Sequence, residues 1–289
     1  MKNRRLELAK RTFLRDKGMW LALAFLLFIV AIAVGIGFTD ADPNALNLQK
    51  MCAPPDSENL FGTDELGRDY LTRVIYGARV SLLVGVLAML ASVTIGVLVG
   101  LVAGYFGGVV DSILMRIVDV FCAIPWIIMV TVVGLLFQKG LASIVIVIGC
   151  FGWMEISRLV RTETMTAKNR EFVHYAELIG VPKWKIILLH ILPSIFPVII
   201  TAATGAIANA IMVESAMSFL GFGVAAPQSS WGTLLKTAQM GQVGIRSLLD
   251  TGMGADLRQT LESQLREYDT IETEAHALAG QRGWELTDL

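Results

Sequence analysis

Apolar positions along this chain fall into five long runs separated by polar stretches. A helix crosses a bilayer core with roughly 20 apolar residues, so the runs Met19–Phe38, Ala78–Gly104, Ile113–Phe137, Leu141–Met154 and Ile191–Leu220 predict five spans of an all-α, polytopic helical bundle. The fourth run is short, and it reaches across only by continuing as helix through Ile156 and Leu159. Pro125 inside the third run removes a backbone hydrogen bond and predicts a kink, while Pro193 and Pro197 predict a bent start to the fifth. Within the second run, Ser92, Gly96, Gly100 and Gly104 recur every four residues. Such a strip lets helix backbones approach closely in lipid, so this face is expected to pack on another helix.

The polar stretches divide the rest. Residues 1–18 are a basic N-terminus, 19–38 the first span, and 39–77 an outer loop with Pro43, Pro54 and Pro55 that ends in an interfacial helix carrying Tyr70, Leu71, Val74 and Ile75. Gly62 and Gly67 bracket a charged turn in that loop, which reads as solvated. Residues 78–236 form the transmembrane core, interrupted by a loop at 157–190. Residues 237–289 are a polar, amphipathic, helical tail with no sixth span. Lys and Arg concentrate in residues 1–18 and again in the 157–190 loop (Arg158, Arg161, Lys168, Arg170, Lys183, Lys185), which places both in the cytoplasm. The N-terminal run is too long for a cleaved signal peptide and is expected to stay as a span.

Composition sharpens this picture. With 54% hydrophobic and 17% charged residues and a mean hydropathy of +0.62, the chain is an integral membrane protein rather than a soluble domain. A net charge of -1 says little about partners, since what matters in a membrane protein is where Lys and Arg lie; no nucleic-acid partner is expected. Cys52, Cys122 and Cys150 lack metal-site or disulfide-framework spacing. His174, His190 and His276 have no nucleophile or carboxylate constellation beside them, so neither catalysis nor a metal site is predicted. There is no GxxxxGK[ST] loop, and no cofactor is expected on this chain; any energy for driven transport enters through a partner.

Three polar features lie in or beside the spans. Arg116 and Asp119, three residues apart on one helical face, predict a structural ion pair. Glu214, near the outer end of the fifth span, is an intramembrane acid that reads either as a loop anchor or as part of an outer gate. The third is Phe172–Pro193, FVHYAELIGVPKWKIILLHILP, a short helix, a glycine turn and a basic amphipathic helix. Phe172, Val173, Ala176, Leu178 and Ile179 offer a compact apolar surface for a groove on a soluble protein. Gly180 permits the turn and Pro182 starts the next helix, which sets Trp184, Ile187, Leu188 and Ile191 on the membrane. An ordinary surface helix between spans is the other reading of the same pattern.

From Phe61 to Lys236 the chain resembles the permease subunits of binding-protein-dependent ABC importers of the dipeptide, oligopeptide and nickel group. The resemblance is carried by FGTDELGRD, YGARVSLLVG, GLVAGYFGGVVDSILMRIVDVFCAIP, RLVRTETMTAKNREFV, the run from Gly180 to His190 and Pro193, and ESAMSFLGFGVAAPQSSWGTLL. It implies a bacterial inner-membrane subunit that forms a pore with a second, homologous permease, with two ATPase subunits inside and an extracytoplasmic solute-binding protein outside. The loop around Gly180 resembles the EAA motif, whose coupling helix seats in the ATPase. The resemblance thus assigns ATPase coupling to Phe172, His174, Tyr175, Ala176, Leu178, Gly180, His190 and Pro193. His174, Tyr175 and Ala176 stand where the motif has Glu-Ala-Ala. The family pattern also has a sixth span where this chain has its polar tail, which reads as a fused or recombined segment. The implied substrate is a small peptide or a related solute such as nickel. Two rival readings are a secondary transporter, which would place acids at the midplane, and a recombined permease acting only as a membrane scaffold.

Overall fold

The computed structural model describes residues 17–39, 41–136, 140–225 and 227–250, with isolated helical residues between 262 and 277. The chain is all-helical in its described residues, with one isolated bridge between Thr63 and Asp69. The helices are α1 (Lys17–Gly35), α2 (Tyr70–Phe106), α3 (Gly108–Cys122), α4 (Trp126–Leu136), α5 (Leu141–Phe151), α6 (Trp153–Lys168), α7 (Glu171–Leu178), α8 (Lys183–Ile186), α9 (Leu192–Phe219) and α10 (Trp231–Asp250). A π-helical turn, Ile187–Ile191, joins α8 to α9. The chain forms two compact units, Met1–Thr233 and Leu234–Leu289. The first holds the bundle; in the second, α10 continues to Asp250, and most of the tail beyond it lies outside the described residues.

Helix α2 is the axis of the bundle, and α1, α3, α5, α6 and α9 all pack on it. Its strip of small residues explains why. A Cβ at Gly96 would lie 2.8 Å from Ile156, and at Gly100 and Gly104 it would lie 2.7 Å from the carbonyl oxygens of Ser157 and Arg161, so α6 rests directly on the α2 backbone. Ser92, one turn earlier, is buried and donates to the Gly149 carbonyl of α5 at 3.2 Å. Asp69 caps α2 by accepting from the Thr72 amide at 2.8 Å. Tyr70–Ile75, expected as a separate interfacial helix, are therefore the first turns of α2: nothing at Gly77 or Ala78 interrupts the helix.

Among the described residues, four helical stretches are long and apolar enough to cross a membrane: Lys17–Phe38, Tyr70–Phe106, Leu141–Lys168 and Lys183–Phe219. The third expected span is instead two helices. α3 ends at Cys122, and α4 restarts at Trp126 immediately after Pro125, which ends the ladder rather than bending it. Between α2 and α3 the chain turns on Gly107 and Gly108, whose φ angles of 65° and 53° suit residues without a Cβ.

Candidate functional site

The stretch between α6 and α9 is held from inside by a cluster of apolar residues. Val173 and Ala176 of α7, Ile186 of α8 and Ile191 of the π turn are buried together with Leu101, Tyr105 and Val160. Helix α7 ends in a Schellman motif: the Val181 amide donates to the Ala176 carbonyl and the Gly180 amide to the Glu177 carbonyl, both at 3.0 Å, with Gly180 at φ 77°. Pro182 then caps α8. The turn is thus made by Gly180 and closed on its apolar side by Val181.

The outer face of α7 is different in kind. Tyr175 is 67% exposed, Leu178 82% and Ile179 78%, with Phe172 also exposed. This corrects the docking surface inferred from sequence. Ala176 and Val173 point inward and support α7, while Phe172, Tyr175, Leu178 and Ile179 face out. His174 lies on the outer side with its Nδ1 3.8 Å from Glu177 Oε2. Glu177 in turn accepts from the Tyr105 hydroxyl at 3.3 Å, and Lys168 Nζ donates to the Tyr105 carbonyl at 2.7 Å. Tyr105 at the end of α2 therefore ties together α6 and α7.

The amphipathic phase beyond Pro182 also needs correction. Ile191, expected on the membrane side, is fully buried, and so is Ile186, whereas Trp184, Leu188 and Leu189 are exposed. The π turn accounts for this, because its wider coil brings residues five apart onto one face. His190 lies in that turn, with its Nδ1 buried and unpartnered among the described residues. Pro193 sits at the start of α9, where a missing amide costs little.

The pair expected between Arg116 and Asp119 does not form. Asp119 accepts instead from Arg158 of α6 at 2.7 Å, and among the described residues Arg116 has no ion pair. A second bridge joins the same two helices, with Arg161 donating to both oxygens of Asp111, one at 2.6 Å. Both arginines come from the basic loop. Helix α6 packs beside α3 and brings Arg158 within 2.7 Å of Asp119, so the carboxylate bonds across the helix pair rather than along its own helix to Arg116. At the opposite end of α2, Glu214 of α9 is fully buried and accepts from Ser81 of α2 at 2.9 Å and Ser218 at 2.7 Å.

Residues 96–253 match the family of binding-protein-dependent transport system inner membrane components. The chain belongs to that family. Among its relatives, the oligopeptide transport system permease protein OppC of Haemophilus influenzae is 39% identical over 237 residues, covering 80% of this chain and 76% of the relative. The dipeptide transport system permease protein DppC of Bacillus subtilis is 39% identical over 229 residues, covering 78% and 71%. The glutathione transport system permease protein GsiD of Pectobacterium atrosepticum is 34% identical over 236 residues, covering 81% and 78%. The permease is accordingly a multi-pass membrane protein of ABC importer type. The family match continues to residue 253, beyond Lys236, where the resemblance read from the sequence ends.

Several of the permease's structured polar groups escape sequence reading. Tyr105, Asp111, Ser81 and Ser230 carry no local motif that singles them out, and Lys168 is one of the cations of the basic loop. The partners of Tyr105, Lys168, Asp111 and Ser81 lie 50 to 150 residues away in sequence, so no local spacing reveals them; Ser230 meets Ser218 only 12 residues away, across the turn after α9. A signal was available for Arg158 and Arg161, which stand three apart on one face of α6 and so called for acids on a neighbouring helix.

Proposed function

We propose that this chain is the membrane-spanning subunit of an ATP-driven importer of small peptides. On this reading it forms the pore with a second permease, α7 seats in an ATPase subunit, and a solute-binding protein delivers substrate at the other face. The N-terminus and α7 are cytoplasmic, following the clustering of Arg158, Arg161, Lys168, Arg170, Lys183 and Lys185 at that end. The observation that carries the reading is α7 itself, in a chain of this family. It presents an exposed apolar face, Phe172, Tyr175, Leu178 and Ile179, on a helix fixed from behind by buried Val173 and Ala176. A rigid helix with an outward apolar face suits a groove on a soluble partner. Peptide as substrate is favoured by the relatives named for oligopeptide, dipeptide and glutathione transport. No cofactor on this chain is needed, since ATP is hydrolysed by the partner.

The ATPase would move α7, and the Tyr105–Glu177 and Lys168–Tyr105 bonds pass that displacement to α2 and α6. Leu178→Asp tests the docking face. Because Leu178 is exposed, the substitution leaves the thermal stability of the isolated permease unchanged. Co-purification of co-expressed ATPase subunits falls by about tenfold or more, the effect of burying an unpaired charge in an interface. Undiminished co-purification would show that α7 is not the docking element.

A further inference from the structure

At the end of α2 and α9 remote from α7, residues 222–225 and 227–233 lie directly on both helices. A Cβ on Gly232 would lie 2.4 Å from the Ser215 carbonyl, and one on Gly223 would overlap Ser218. The Phe222 amide donates to the Met217 carbonyl at 2.9 Å. Trp231 Nε1 donates to the Val74 carbonyl of α2 at 3.2 Å, and Ser229 Oγ meets the Arg73 carbonyl at 3.5 Å. The segment thus bridges the two helices, and Glu214 lies beneath it.

The direction of the hydrogen bonds around Glu214 is informative. Among the backbone amides of the segment that donate to hydroxyls, three reach serines: Val224 to Ser218 at 3.3 Å, Trp231 to Ser81 at 3.4 Å and Thr233 to Ser230 at 3.3 Å, while the Ser230 amide donates to Thr233 at 2.8 Å. An amide can only donate, so each hydroxyl has an acceptor lone pair engaged and its own proton to give. Ser230 gives it to Ser218 at 3.3 Å, Ser218 to Glu214 Oε1 at 2.7 Å, and Ser81 to Glu214 Oε2 at 2.9 Å. The hydroxyl protons of Ser230, Ser218 and Ser81 thus all run toward the carboxylate. Among the described residues no ion pair reaches Glu214. A side chain that accepts at both ends is therefore required here, and a carboxamide, which offers one acceptor and one donor, breaks the chain at one serine.

We propose that Glu214 is the positioning residue of a latch that holds residues 222–225 and 227–233 across the ends of α2 and α9. Separation of those two helices at this end has to break the Ser81–Glu214 and Trp231–Val74 bonds together, so the latch sets how readily a passage opens there. The proposal does not depend on α7 docking to an ATPase.

A buried reporter on the segment tests it. In the full-length chain in membranes, with Cys52, Cys122 and Cys150 replaced by Ala, Ser229→Cys places a thiol at a buried position. Ser157→Cys does the same at a buried position on α6. With Glu214 intact, both thiols react slowly with a membrane-permeant maleimide. Glu214→Gln and, separately, Ser81→Ala speed labelling at position 229 by about tenfold and leave position 157 unchanged. Equal acceleration at both positions would mean that Glu214 only supports global stability, and no acceleration at 229 would mean that it does not hold the segment. Either result overturns the latch.

Discussion

Asp64 shows how a single residue fixes the loop ahead of α2. Its Oδ1 accepts from the amides of Leu66 at 2.9 Å and Arg68 at 3.0 Å, and its Oδ2 from Arg68 Nε at 2.7 Å and from Arg73 Nη1. Burial pushes the pKa of this carboxyl up, but the two amides and the Arg68 guanidinium more than offset it, so the net shift is downward from the ordinary carboxylate range. A folded-state pKa below the unfolded one means that the stabilisation is complete above the unfolded value, near pH 4, and is lost as pH falls through the folded value. Melting temperatures of the detergent-solubilised chain are therefore expected to be insensitive to Asp64 titration down to about pH 4 and to drop below it. Asp64→Asn leaves Arg73 buried without its partner and is expected to cost about 3 kcal/mol at pH 7, with the acid-induced drop correspondingly reduced. In the sequence this cluster looks like a solvated charged turn, because Gly62, Gly67 and alternating charges are what solvated turns contain. What cannot be read is that Arg73, already one turn into α2, folds back over the loop.

Helix–helix contacts in the bundle are decided by which glycines face a neighbour. Gly100 of α2 meets the backbone of α6, where a carbonyl cannot step aside, whereas Gly205 in the middle of α9 has nothing within 4 Å of a would-be Cβ. The same chemical change thus has opposite signs. Gly100→Ala is expected to cost about 1–3 kcal/mol through overpacking. Gly205→Ala is expected to gain up to about 1 kcal/mol from helix propensity. Thermal unfolding of the two variants side by side distinguishes packing from propensity. The four-residue recurrence of small residues made the α2 face legible in advance, since period and residue size together define a strip. The face of Ile186 and Ile191 was not legible. A regular 3.6-residue period assigns Ile187 and Ile191 to one side of the helix, and only the π turn, which leaves no mark in residue type, brings Ile186 and Ile191 together on the buried side. Pro125 was visible as a disturbance, though sequence alone does not separate a kink from the break between α3 and α4.

The contacts along α2 order the whole bundle into two ends. The loop that carries Cys52 is bonded to the start of α2 through Asp64, whose carbonyl accepts from the Cys52 amide at 3.0 Å. α7 is tied to Tyr105 near the other end, and the 37 residues of α2 make a helix roughly 55 Å long, more than the thickness of a bilayer core. Cys52 and Leu178 should therefore lie on opposite sides of the membrane, with the basic α7 end inside. The prediction uses the full chain with Cys122 and Cys150 replaced by Ala. In intact cells, a membrane-impermeant maleimide labels Cys52 and leaves the thiol of Leu178→Cys unreacted; in inverted vesicles the pattern reverses. Cys52 is exposed, but partial desolvation and the nearby Glu65 and Asp64 carboxylates raise its thiol above its ordinary pKa, so its labelling is slower than that of a free thiol at pH 7 and accelerates as pH rises. Labelling of both thiols from one side would contradict α2 as a membrane-crossing axis. Labelling of each from the reverse side would instead invert the charge-based orientation, and with it the placement of ATPase docking at α7.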